Sequence, residues 1–218
     1  MIINFIRYLK RKHKKTEISL DQLSSLWTNA DQKKAKTVQE DSEDTVADLW
    51  TNPKLKKFYK IYIQPYKNSL GDALESILKI MTLLDKAGDY PSVAENDPTE
   101  TTDLKFSEIT LVEHTLNVAE KVMDTIKGKI KDHELLAGEM LIVALAHNLG
   151  KLPGQDMPVD LPSKSAIVAE HFLKNLPFKK TAMQTIKTYK NSPRLKQAKL
   201  LGIADHAARK MEEGVLGK

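Results

Sequence analysis

Between positions 107 and 127, apolar residues return every three or four positions, which predicts an amphipathic helix. Its apolar stripe consists of Ile109, Val112, Leu116, Ala119, Met123 and Ile126. Residues 134–148 are apolar nearly all round, a pattern typical of a helix inside a bundle. Pro193 opens a third predicted helix that runs to about residue 213. Since no segment alternates convincingly like a strand, the predicted fold class is all-α.

The first hundred residues are predicted to be mostly helical and partly irregular. Apolar positions at helical spacing run from residue 53 to residue 87, where Pro65 is expected to separate two helices and Gly88 to end the second. Residues 16–47 are polar and lack an apolar period, so we expect that segment to be rich in loops.

A change in composition divides the chain in two. Residues 89–103 contain Pro91, Pro98 and several acids, which is typical of a linker. We therefore expect an N-terminal region at residues 1–100 and a helical domain at residues 104–214. The sequence leaves open whether the N-terminal region folds on its own or wraps around the helical bundle.

A short motif occurs twice in the N-terminal region and contains both tryptophans. Leu26-Trp27-Thr28-Asn29 returns as Leu49-Trp50-Thr51-Asn52, and a lysine pair follows each copy. In the second copy, a threonine or asparagine before Pro53 is the pattern of a capped helix start. The motif is therefore either a duplicated capping element or a pair of docking sites for a protein partner through Trp27 and Trp50.

Composition narrows the classes of protein. Of the 218 residues, 41% are hydrophobic and 29% are charged, as in ordinary globular domains. The absence of cysteine excludes disulfides and thiolate metal sites and fits a reducing compartment, so we expect a cytoplasmic protein. The longest apolar run, residues 140–146, is too short for a transmembrane helix.

Positive charge is concentrated at the start of a chain whose net charge is +5. Arginines and lysines crowd residues 7–15, directly after a small apolar cluster. This segment is either an anchor for an anionic surface, lipid or nucleic acid, or a solvated basic helix. The nucleic-acid interpretation has no supporting motif in the sequence.

Three residues on different predicted helices carry candidate chemistry. His114 lies at the seam between the apolar and charged faces of its helix, where a half-buried ring can direct one nitrogen into a pocket. His147 and Asn148 end the buried helix, and Gly150 supplies the turn after it. Asp205 lies among small and apolar neighbours, where a carboxylate needs a cation or a donor. Two imidazoles and one carboxylate from separate helices can hold a divalent ion.

Each position taken singly also has a plain structural explanation. His114 could be a packing residue, and His147 could end a helix that simply reaches the surface. Lys151 and Arg209 could be solvated surface cations. Three histidines in charged surroundings need no functional explanation, and the last of them is expected to be exposed: His13, His133 and His206.

The order and setting of the candidate residues resemble the HD superfamily of metal-dependent phosphohydrolases. The resemblance rests on Glu-His114-Thr-Leu-Asn-Val-Ala, Ala-Leu-Ala-His147-Asn148-Leu-Gly-Lys151 and Ile-Ala-Asp205-His-Ala-Ala-Arg209, within roughly half of the chain. It implies an all-α bundle in which His114, His147 and Asp205 hold a divalent metal, Mn, Mg, Fe, Ni or Zn. It also implies hydrolysis of a phosphate ester or anhydride, with Lys151 and Asp205 as catalytic residues and Lys151 in contact with the phosphate.

One ligand position departs from the family pattern. The family has an aspartate after the second histidine, and this chain has Asn148, whose amide oxygen can coordinate a cation but carries no charge. A neutral ligand weakens the activation of water by a metal. Tyr189-Lys190 stands where further histidines of some family members are expected, and His171 lies one turn from a ligand position. We therefore expect a weak single-metal site or an empty one.

Three functions remain as alternatives. The preferred one is a degenerate HD-like module, weak or inactive as an enzyme, that binds a metal or a phosphate-containing small molecule or acts in regulation. The first alternative is an active metal-dependent phosphohydrolase of a nucleotide or another phosphoester, with Lys151 and Arg209 as phosphate contacts. The second is a nucleic-acid-associated protein that binds through its basic N-terminus.

Overall fold

Helices make up the ordered secondary structure of the described part of the chain. The computed structural model describes residues 46, 49–93, 104–129, 133–154 and 157–217. Within these ranges the only strand-like pairing is an isolated bridge between Pro91 and Thr110, which confirms the predicted all-α class. None of the helices in these ranges has the length and apolar character needed to cross a membrane.

A set of short helices leads into one long helix in the N-terminal half. In chain order these are α1 (Pro53–Phe58), a π-helical turn (Tyr59–Ile63), a 3-10 turn (Gln64–Tyr66), α2 (Lys67–Leu70) and α3 (Ala73–Ala87). Pro65 lies in the 3-10 turn, so the predicted interruption is confirmed, but the long helix begins only after Gly71, whose φ of 50° suits glycine. Gly88 ends α3 and donates its N–H to the carbonyl of Leu84, as predicted.

The second copy of the tryptophan motif is a capping element. Trp50 is buried, and its indole N–H donates to Thr82 at 3.2 Å. The side-chain oxygen of Asn52 caps the start of α1, and its backbone N–H donates to Asp85 on α3 at 2.8 Å. Because its ring is buried in the fold, Trp50 is not exposed to a partner. The second copy of the motif is therefore a capping element rather than a docking site. Trp27 lies outside the described residues.

Five helices form the C-terminal bundle. They are α4 (Leu111–Lys129), α5 (His133–Ala146), α6 (Leu161–Glu170), α7 (Lys179–Thr188) and α8 (Lys196–Leu216), with 3-10 turns at Leu104–Glu108 and Leu149–Lys151. From Ala137 to Ala146 every residue of α5 is buried, as its all-round apolar pattern predicts, because α3, α4 and α7 pack around it. Helix α8 lies along α4. The predicted ends of α4, α5 and α8 were shifted by one to four residues.

The described helices on both sides of the predicted linker belong to one compact unit, which comprises Ser42–Leu152 and Met157–Lys218. Within it, α3 packs against α5, so the described part of residues 1–100 contributes to the helical core. A second unit comprises Met1–Asp41 and Pro153–Asp156, of which only Pro153 and Gly154 are described. The basic segment at residues 7–15 and the first copy of the tryptophan motif lie outside the described residues.

Candidate metal centre

Two imidazoles and one carboxylate meet in the core of the bundle. His114 comes from α4, His147 from the turn after α5 and Asp205 from α8, and one potential ligand atom of each lies within 4.8 Å of the others. The distance to Oδ1 of Asp205 is 3.0 Å from Nε2 of His114 and 3.7 Å from Nε2 of His147. The three residues that the sequence places on separate helices therefore form one group that could hold a metal ion.

His114 is more deeply buried than its position in the sequence predicts. A half-buried ring was expected at the seam of α4, and the residue is fully buried. The reason is that α8 packs along α4 and brings one carboxylate to each ring nitrogen, Asp205 to Nε2 and Glu212 to Nδ1. A helical wheel shows the faces of one helix and cannot show which neighbouring helix covers its seam.

His147 has the arrangement of a metal-binding imidazole. Its Nδ1 donates to the carbonyl oxygen of Ala144 at 2.6 Å. A carbonyl only accepts, so Nδ1 carries the proton, and Nε2 keeps a lone pair that can accept a hydrogen bond or bind a metal. Complete burial lowers the pKa of His147, which favours the neutral ring that binds metals. A backbone bond that fixes the ring in this tautomer is a common feature around metal-binding histidines.

Asp205 is held in its charged form. Burial alone would raise the pKa of this carboxyl, but the interactions with His114 and His147 together outweigh burial and hold the pKa well below its usual value. The side chain is also the least enclosed of the three, with 18% of its surface exposed against 1% for His114 and 0% for His147. Asp205 is therefore the point at which the group is reached from outside.

Asn148 adds an amide to the group. The residue is buried, and its Nδ2 donates to Nε2 of His147 at 2.7 Å. Its Oδ1 is also buried and has no hydrogen-bond partner among the described residues. A buried oxygen without a donor is unfavourable, and a cation would satisfy it. The three converging ligand atoms fit a single divalent ion, and Oδ1 of Asn148 could join them only if the amide left His147.

Glu212 belongs to the site and was not predicted from the sequence. Its carboxylate, 2% exposed, accepts from Nδ1 of His114 at 3.0 and 3.2 Å, from Asn117 at 2.8 Å and from Arg209 at 3.0 Å. Burial alone would raise its pKa, but the contacts with His114, Asn117 and Arg209 together outweigh burial and lower the pKa. Since Glu212 follows Asp205 by seven residues, two helical turns, the shared helix face was a signal that could have found it.

The two predicted phosphate contacts meet at one residue. Lys151 donates from Nζ to the carbonyl oxygen of Ser92 at 2.5 Å. Arg209 donates from Nη2 to the same oxygen at 3.1 Å and from Nη1 to the hydroxyl of Ser92 at 2.8 Å. Ser92 is fully buried and lies in the segment predicted as a linker. Neither cation is a freely solvated surface charge, which corrects the structural alternative considered for them.

None of the remaining sequence candidates that the structure describes belongs to the group of three ligands. Tyr189, which replaces an expected histidine, is buried and makes a T-shaped ring contact with His147, with 5.7 Å between the centroids. His171 is exposed at the end of α6 and is not part of the group. His206 is exposed, as predicted, and His133 pairs with the hydroxyl of Tyr66 at 3.3 Å.

A groove of about 440 Å³ opens next to the group, between α1, the π-helical turn, α4 and α8. It is lined by Phe58, Tyr62 and Met211 among others, and it reaches Glu212. None of the three ligand residues lines it. The groove therefore opens on the Glu212 side of His114, away from the nitrogen that faces Asp205.

Comparison with known proteins adds no relative. Searches of protein-family models, of curated proteins and of solved structures found no match to this chain.

Proposed function

We propose that this protein is an HD-like module with a single divalent-ion site at His114, His147 and Asp205, with Asn148 as a fourth, neutral ligand. The module binds a phosphate-bearing small molecule and hydrolyses it slowly or not at all. The observation that carries the proposal is the convergence of three ligand atoms within 4.8 Å in a buried setting, two of them on imidazoles whose Nδ1 atoms are already hydrogen-bonded. Pre-oriented imidazoles and a carboxylate are a ligand set for Mn, Fe, Ni or Zn, and less so for Mg.

The charge of the ligand set supports one ion and slow chemistry. Asp205 is the single carboxylate among the proposed ligands, and Asn148 contributes an uncharged oxygen. Two adjacent divalent ions need bridging negative ligands, which this set lacks. A bound ion would polarise a phosphoryl oxygen and activate water. Because the ligand set carries one negative charge and Nε2 of His147 is already hydrogen-bonded, the ion binds weakly and activates water less.

The cationic residues support a phosphate-bearing ligand. Lys151 and Arg209 direct three donors onto the two oxygens of Ser92. Arginine forks and lysine ammonium groups bind phosphate oxygens in the same way. A phosphate at this position replaces the carbonyl and hydroxyl of Ser92, so its binding requires the chain around Ser92 to move.

The proposal is tested by measuring metal content and turnover on the same preparation. The protein is purified without added metal or chelator, analysed by mass spectrometry for bound metals, and assayed with manganese on a panel of phosphoesters and nucleotides. We expect substoichiometric metal that can be loaded to one ion per chain, lost in His147→Ala, and little or no turnover. The exposed His206→Ala is the matched control. Metal-dependent turnover that His147→Ala abolishes would establish the hydrolase alternative instead. Absence of binding at millimolar metal would overturn the metal site.

A further inference from the structure

Glu212 lies directly behind the first proposed ligand. Its carboxylate accepts from Nδ1 of His114 with both oxygens, at 3.0 and 3.2 Å, while Nε2 of the same ring faces Asp205. The proton of this bond belongs to Nδ1, because a carboxylate can only accept. The bond therefore orients the ring so that Nε2 is directed to the place where the ligand atoms converge.

Two further donors hold Glu212 in that position. Asn117, three residues after His114 on α4, donates to one carboxylate oxygen at 2.8 Å. Arg209, three residues before Glu212 on α8, donates to the other at 3.0 Å. A buried carboxylate is stable only when its charge is balanced and its oxygens have donors, and these contacts supply both. The side chain is thus fixed from two helices and is not a surface acid that happens to lie near a ring.

We propose that Glu212 is a positioning residue that makes His114 a stronger metal ligand. A carboxylate on the remote nitrogen fixes the tautomer of a ligating histidine and increases the basicity of the nitrogen that binds the ion. The inference rests on the proposed metal site and adds a residue outside it. It also assigns Asn117 and the Glu212 contact of Arg209 to the support of that carboxylate.

The test compares Glu212→Gln with Glu213→Gln in the full-length protein. Glutamine keeps the size of the side chain and an acceptor for His114 but removes the charge. Glu213 is the next residue and is exposed, so its substitution is a matched control for charge on α8. Zn²⁺ and Mn²⁺ affinities are measured by calorimetry, and the Nδ1–H of His114 is observed by ¹⁵N NMR in the metal-free protein. Glu212→Gln is expected to weaken metal binding by about 10- to 100-fold and to shift the NMR signal, with no change in Glu213→Gln.

Each outcome decides the inference. Equal metal affinity in the wild type and in a folded Glu212→Gln protein would overturn it and leave the metal site standing. If the wild type binds no metal, the proposed function fails, and the NMR signal still decides the role of Glu212. A hydrogen-bonded Nδ1–H signal that shifts in Glu212→Gln and not in Glu213→Gln keeps the positioning role, and identical signals reject it. If Glu212→Gln does not fold, Asn117→Ala is used instead, because it removes one donor to the carboxylate. This variant should bind metal several-fold more weakly. Unchanged affinity in Asn117→Ala would count against the inference.

Discussion

The bundle contains two polar groups of different character. The imidazole side consists of His114, His147 and Asp205, which face one another. The cationic side consists of Lys151 and Arg209, which both donate to Ser92. On the imidazole side, one amide bond occupies the lone pair of His147, and one buried oxygen of Asn148 has no partner among the described residues. On the cationic side, three hydrogen bonds end on oxygens of the chain itself.

The difference separates the two binding events by how far the fold has to move. An ion entering the imidazole side has to displace the neutral hydrogen bond at His147, worth about 1 kcal/mol, and to take the place of the proton between Nε2 of His114 and Asp205. A phosphate entering the cationic side competes with three charge-assisted bonds and has to move a buried segment. We therefore expect the metal to bind with little change in the fold, whereas phosphate binding requires movement around Ser92.

The largest expected effect comes from Asn148→Asp. An ionised aspartate cannot donate to Nε2 of His147 and adds a negative charge beside Asp205, so His147 loses its bond from the amide and the site gains a charged ligand. We expect metal affinity to rise about tenfold or more, at least roughly 1.4 kcal/mol, and the metal-free variant to unfold at a lower temperature because its buried carboxylates repel each other. Calorimetry with Mn²⁺ and melting with and without chelator measure both.

The exposed Asn191→Asp is the control for added charge and should leave both quantities unchanged. Metal affinity in Asn148→Asp equal to that of the wild type would contradict the role given to the amide.

The second effect concerns the cationic side. Lys151→Met removes the positive charge that contacts Ser92 and that would contact a phosphate bound in place of Ser92. We expect pyrophosphate to bind about tenfold more weakly, since a hydrogen bond to a charged group is worth about 1.5–3 kcal/mol. Calorimetry on the metal-free protein measures it, with the exposed Lys210→Met as the matched control. A lower melting temperature with unchanged pyrophosphate affinity would mean that Lys151 only anchors Ser92.

The smallest expected effect concerns Glu139, a buried acid that serves as a comparison for Asp205 and Glu212, whose pKa values histidine contacts lower. Glu139 on α5 is buried, has no histidine partner among the described residues and receives a 3.4 Å bond from Gln197, so burial raises the pKa of its carboxyl above the usual 4.5. Between the unfolded and folded pKa values the folded state binds more protons, so this group's contribution to stability is complete below about pH 4.5 and falls as pH rises through the folded pKa.

Glu139→Gln should remove this pH dependence. We expect the variant to be more stable than the wild type by about 1 kcal/mol at pH 7.5 and equally stable below pH 4.5. Thermal unfolding at the two pH values measures the difference, and the exposed Glu134→Gln on the same helix is the control. A variant that is less stable than the wild type at pH 7.5 would show that the ionised carboxylate contributes to the fold.

The candidate ligands were accessible from the sequence because each had a local signal. His147 and Asn148 follow a helix that is apolar all round, and Asp205 is an acid among small and apolar residues. Glu212 and Ser92 were not predicted, for different reasons. Glu212 shares a face with Asp205, which was a signal, but acids are usually exposed and are common on helices, so spacing alone did not single it out. Ser92 lies in a segment whose composition is that of a linker, and no local pattern indicates burial.

The sequence by itself determined the helical class, the buried helix α5, the capped start of α1 and the three residues that could hold an ion. These depend on side chains at fixed spacing along one helix, which local geometry specifies. Only the tertiary structure decided that α8 covers His114, that Glu212 holds its remote nitrogen, and that Lys151 and Arg209 meet at Ser92. Such contacts join residues 59 to 117 positions apart in the chain. They depend on how helices pack, and the apolar pattern of one helix leaves open which neighbour will cover it.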